Sequence, residues 1–142
     1  MRKFIRTAAP ALLILLFVYA ALSKLLDFPA FNWQMHNQNV PPEAASVLVY
    51  LVPGLELLAA VLLLFSRTQV AGLLLSAFLL LVFSGYILLV LGGFWDSVPC
   101  SCGGVLRGMG WGQHLAFNLF FLFLSITALI DKKGKAENLR KE

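Results

Sequence analysis

Charge is what this chain has least of. Only 13% of its 142 residues are Asp, Glu, Lys or Arg, and only seven are acidic, where a soluble domain carries about 25%. Apolar residues make up 60% and the mean hydropathy is +0.85, against the roughly 45–50% apolar content of soluble domains. A water-facing globular core is therefore excluded, and the chain reads as one integral membrane domain over residues 1–142. Cysteine and histidine are equally sparse, with two of each, so thiol chemistry is confined to one locus. No internal repeat supports an inverted-repeat transporter, and the shortage of buried charge argues the same way. No cofactor motif is present.

What is there is a set of apolar blocks with basic ends. The net charge of +4 does not point to nucleic acid, because the cations sit beside the apolar segments. Arg2, Lys3 and Arg6 precede the first; Lys132, Lys133, Lys135, Arg140 and Lys141 follow the last. That is the positive-inside pattern, and such termini suit an anionic cytoplasmic leaflet. Four spans are expected, over residues 8–26, 46–65, 70–91 and 113–130, each long enough for a hydrocarbon core of about 30 Å. The first run exceeds a signal-peptide core of roughly 7–15 residues, and Ala20-Ala21 makes a poor cleavage site. The expected architecture is an all-α four-helix bundle with both termini in the cytoplasm and a tail over 131–142. The setting is the bacterial inner membrane.

Two longer loops then face outward. The first, 27–45, interleaves Phe28, Phe31 and Trp33 with amides and His36, as a segment lying at headgroup level would. The second, 92–112, is rich in glycine and bounded by Trp95 and Trp111. It holds Val98-Pro99-Cys100-Ser101-Cys102-Gly103-Gly104. Two thiols one residue apart close only a small, strained ring, and strained disulfides tend to be labile and oxidising. Pro99 and the glycines keep the pair open to exchange, and an outer compartment favours disulfides. Other readings stay open: a static disulfide pinning the loop, free thiols, or a metal set of Cys100, Cys102, His36 and His114 whose spacing is tighter than usual zinc sites.

The second informative position is Glu56, an acid within a span, where charge is costly and usually functional. At about 1.5 Å per residue it lies roughly 15 Å below the outer end of its span, with Tyr19, Ser84 and Asn118 at roughly 9–11 Å on theirs. His114 and Asn118 share a face at i, i+4. A polar track descending from the cysteine loop towards Glu56 is expected, suited to proton transfer or a quinone; the plain alternative is a protonated Glu56 hydrogen-bonded between helices. Lys24 is expected to snorkel outward, and a direct pair with Glu56 would need a downward-reaching lysine or a shifted helix register.

Four spans, the acid in Leu51-Val52-Pro53-Gly54-Leu55-Glu56-Leu57-Leu58, and Cys100-Ser101-Cys102-Gly103-Gly104 before the last span resemble the methylamine-utilisation protein family MauE and the related DoxX-like membrane proteins. In the MauE branch the resemblance implies an accessory role in making a disulfide-dense periplasmic dehydrogenase beside a thioredoxin-like partner. In DoxX relatives it implies thiosulfate-to-quinone electron transfer. Carried over, the roles fall on Cys100, Cys102 and Glu56; His114 is a further candidate from its own position on the face shared with Asn118, not from the resemblance. Gly104 departs from the aromatic residue expected before the closing glycine, so a general thiol-redox helper is the reading carried forward. The competing class is a scaffold subunit with a structural disulfide. Lipid is the expected surrounding, a periplasmic protein the expected partner, and association of copies stays open.

Overall fold

A computed structural model of the chain describes residues 1–95 and 110–141. Cys100, Cys102 and the rest of 96–109 lie outside the described residues. Those described form five helices and no strand: α1 (Arg2–Leu26), α2 (Phe28–His36), α3 (Pro42–Leu64), α4 (Gln69–Leu91) and α5 (Trp111–Lys141). All but α2 are long and apolar enough to cross a membrane. The chain is a multi-pass, all-helical membrane protein.

The helices pack in a ring. α1 lies mainly on α3, α4 mainly on α5, and the pairs join through α3–α4 and α1–α5. The end where α1 and α4 stop and α3 and α5 start is called the α2 end here; the termini share the other. There Arg6 Nε meets Asp131 Oδ2 at 2.6 Å, tying the start of α1 to α5.

The packing is that of a bundle in lipid. Buried positions favour small residues: Ala9, Ala20 and Ala21 on α1, Ala45, Ala59 and Ala60 on α3, Gly72, Ser76 and Ser84 on α4, Ser125 and Ala128 on α5. Many of the large side chains, among them Leu15, Leu64, Phe78, Leu81, Phe120 and Phe123, stand on the outer surface. Lipid tails are as apolar as leucine, so burying leucine brings helices together only weakly; close backbone approach does so through dispersion and interhelical hydrogen bonds. The inward residues of α3, Ala45, Val49, Val52, Glu56, Ala59 and Leu63, recur every three or four positions, which keeps one stripe on the bundle axis. Ser125 Oγ donates to the Leu73 carbonyl at 2.9 Å, a polar tie between α4 and α5.

The α3–α4 turn is closed by side chains. Carbonyls at the end of α3 lack intrahelical partners, and near lipid each needs one. Thr68 Oγ1 donates to Leu62 O at 2.8 Å and Gln69 Nε2 to Leu63 O at 3.2 Å. The turn is thereby folded back on the helix it leaves.

Three boundaries differ from the expected ones. The first loop is helical from Phe28 to His36, started by Pro29 in its first turn; proline there gives up an N–H that would be unpaired anyway. α3 begins at Pro42 rather than near Ser46 for the same reason, with Glu43 in its first turn complementing the helix dipole. α5 does not stop at Ile130: it continues through the basic tail to Lys141, where Lys141 pairs with Glu137 one turn back at 2.9 Å.

Candidate functional site: a buried ion pair beneath an aromatic cavity

Lys24 lies in the last turn of α1, and its side chain follows the usual helical direction back towards the N-terminus. Its ammonium reaches Ala20 O at 3.1 Å and both Glu56 oxygens, at 2.9 and 3.2 Å. Lys24 is 8% exposed and Glu56 2%. The expected snorkelling of Lys24 is thus corrected: the lysine turns inward and pairs with the acid. Glu56 is bonded between α1 and α3, with Lys24 Nζ donating to both of its oxygens.

The register explains how they meet. Glu56 is about 21 Å along α3 from Pro42, whereas Ala20 is only about 9 Å from the end of α1, at 1.5 Å per residue. The first turns of α3 therefore run on past the end of α1, alongside α2. Depths counted from predicted span ends miss this offset. Phe31 of α2, itself buried, closes over the pair, its ring centre 6.0 Å from Lys24 Nζ, at the outer limit of a cation–π contact.

Above the pair lies a cavity of about 260 Å³ to which every helix contributes. α1 gives Phe17, Ala20 and Lys24; α2 gives Phe31 and Met35; α3 gives Val52 and Glu56; α4 gives Phe83 and Tyr86; α5 gives Trp111, His114, Phe117 and Asn118. Its rim is aromatic. Tyr86 packs on Trp95 with ring centres 5.6 Å apart and on Trp111 at 6.4 Å, and its hydroxyl donates to Gln38 Oε1 at 2.8 Å. These contacts fix the residues on both sides of the α4–α5 connection to one point on the rim.

Glu56, His114 and Asn118 all line this cavity. Asn118 is 6% exposed, and its Nδ2 has no hydrogen-bond partner among the described residues. Ser84 is buried, with its Oγ likewise unpartnered among the described residues, but it does not line the cavity. Tyr19 is 53% exposed, on the outer surface of α1 away from the cavity. His36 is held elsewhere, its Nδ1 2.9 Å from Asn32 O and its Nε2 3.2 Å from Ser46 Oγ. No cluster of three or more potential metal ligands occurs among the described residues. The metal set of Cys100, Cys102, His36 and His114 falls partly outside them, and the cysteine pair wholly.

Sequence reasoning named the Lys24–Glu56 pair only on condition of a downward-reaching lysine or a shifted register, and it missed Gln38 and Tyr86 as a hydrogen-bonded part of the rim. The signal for Lys24 was its place within an apolar run, one helical turn beyond Ala20. Chemically, the arrangement offers an ion pair, an amide donor without a partner among the described residues, and aromatic walls.

No curated protein and no solved structure matches the chain. The family model described as methylamine utilisation protein MauE matches residues 1–131, a stretch that takes in α1 to α4, the α4–α5 connection and the apolar part of α5, and the chain belongs to that family.

Proposed function

We propose that the protein is a thiol-redox helper of the inner membrane, in which Cys100 and Cys102 exchange disulfide equivalents on the periplasmic side with a thioredoxin-like protein. Positive termini support the orientation, because the α2 end and the cysteine connection then face outward. The observation that carries the reading is the convergence at Tyr86: Trp95 and Trp111, the described residues flanking the cysteine-bearing segment, both pack on it at the rim of the cavity. Both sides of the segment that carries the thiol pair are thereby fixed beside the cavity.

The electron count closes with a quinone as that oxidant. The partner's dithiol reduces the Cys100–Cys102 disulfide by two successive thiolate attacks, leaving the partner oxidised and the pair as two thiols. The two thiols then pass two electrons and two protons to a quinone, giving quinol and restoring the disulfide. The net effect is delivery of a partner's electrons to the membrane pool, in support of a periplasmic enzyme's maturation. The family's name, methylamine utilisation, is consistent with such a client.

Replacing one cysteine blocks resolution of the intermediate. Cys102→Ser or Cys100→Ser, expressed in cells and trapped with acid and a thiol-alkylating reagent, is expected to accumulate a mixed disulfide that disappears on reduction. The double serine variant should show none and lose function. Full function in the double variant would overturn the exchange role, and a wild-type pair never found reduced in cells would identify a structural disulfide and a scaffold role.

A further inference from the structure

The cavity has a feature that the thiol chemistry does not use. Asn118 is almost wholly buried on its wall, yet the Nδ2 of its side-chain amide donates to no acceptor among the described residues. A buried donor left unpaired is costly, more so in a bilayer, where water is not at hand to replace the partner. Such a group is retained where something else accepts the bond.

The surroundings state what that acceptor looks like. Lys24 and Glu56 neutralise each other at contact distance, so the site calls for neither an anion nor a cation. Phe17, Phe83, Trp111 and Phe117 supply flat apolar walls, against which a planar ring stacks or packs edge-on. A volume of about 260 Å³ is smaller than the roughly 300–1,000 Å³ of pockets that enclose drug-sized ligands. It takes one substituted ring and not a whole lipid. Neutral, planar, lipid-soluble and bearing an exposed oxygen acceptor: these are the properties of a quinone ring.

Resting on the thiol-to-quinone reading above, we infer that this cavity is the headgroup site of a membrane quinone, with the Asn118 amide donating a hydrogen bond to one ring carbonyl. The ring packs among the aromatic walls above the Lys24–Glu56 pair, at the same rim on which the cysteine connection is anchored. His114, on the same face of α5 as Asn118, stands at the mouth side of that donor and completes the polar edge of an otherwise apolar site.

The test uses the full-length protein in nanodiscs and decylubiquinone as the probe, read by quenching of tryptophan fluorescence, since Trp111 lines the site. Saturable quenching is expected in the wild type. Asn118→Leu, which keeps volume and removes the donor, should weaken binding about tenfold, as loss of one buried hydrogen bond does, with a thermal midpoint no lower than that of the wild type, since an unpaired buried donor is removed. Decylbenzene, with the same tail and a ring lacking carbonyls, should not displace the quinone from wild-type protein, a measurement that needs no variant to fold. Absence of saturable binding, equal affinity in Asn118→Leu, or displacement by decylbenzene at equal concentration would overturn the assignment. The two readings fail separately, because mixed-disulfide trapping needs no quinone and the fluorescence titration needs no thiol partner.

Discussion

Breaking the Lys24–Glu56 pair from either side is expected to be the most damaging change in the described part of the molecule. Removing one member of a buried ion pair typically costs about 3–5 kcal/mol, because the other charge is left without compensation. For Lys24→Met this corresponds to a fall in Tm of roughly 10 °C or more, measurable on detergent-solubilised protein. The two singles should not be equal. Lys24 is two residues from the end of α1, and in Glu56→Leu its long stem lets the ammonium swing out to headgroup level. Glu56 sits in mid-helix, 2% exposed, with no such exit. Lys24→Met should therefore be the worse of the two.

The double variant separates the pair's energy from its role. Lys24→Met with Glu56→Leu replaces two opposite charges by apolar side chains of similar volume, and such replacements are often neutral or stabilising. Recovery of most of the lost stability in the double variant is the expected result. A double variant no better than the sum of the singles would show that the damage lies in packing and not in stranded charge. If stability returns and function does not, the pair is kept for its place beneath the cavity. That outcome is expected, since two apolar residues restore the helix contact but leave no polar floor.

The pair also shows what was legible in the sequence and what was not. The spans were: apolar runs of about twenty residues bounded by charge, Pro-Pro and a short polar turn mark membrane helices with little ambiguity, and the four observed ones contain the expected segments almost entirely. Glu56 was legible as a residue of consequence because an acid in a span is expensive. Its pairing with Lys24 was legible only as a condition, a lysine reaching downward or a shifted register. Pairing across helices depends on the axial offset of α3 against α1, which is set by α2, and α2 has no clear sequence signal. Phe28 to His36 mixes aromatics, amides and a histidine without a helical apolar stripe, so it reads as an interfacial segment, with Pro29 its one helix-start signal. Tyr19 shows the same limit in another form: depth along a span says nothing of the rotation of α1, which turns it outward. The thiol pair is the reverse case, plain in the sequence and outside the described residues.

Rotation and offset are held in turn by close approach, and Gly72 is where that approach is tightest. A Cβ added there would stand 2.8 Å from Leu63 N, 2.9 Å from Leu63 Cγ and 3.0 Å from the carbonyl carbon of Leu62. Two of the three are backbone atoms, so they cannot turn aside as a side chain would. The α3–α4 turn cannot absorb the shift either, because Thr68 and Gln69 bind it to Leu62 O and Leu63 O. Gly72→Ala is accordingly expected to cost about 1–3 kcal/mol, the usual range for overpacking, and Gly72→Leu more. Gly85 lies on the same helix with nothing within 4 Å of an added Cβ. Gly85→Ala should leave Tm unchanged or raise it, since alanine is the better helix former by up to about 1 kcal/mol. Equal losses at the two positions would mean that the small residues lining α4 are not what sets the helix spacing. A loss confined to Gly72 would place the determinant of α3–α4 contact at the end of the bundle opposite the cavity, where α3 and α4 are pinned by their backbones.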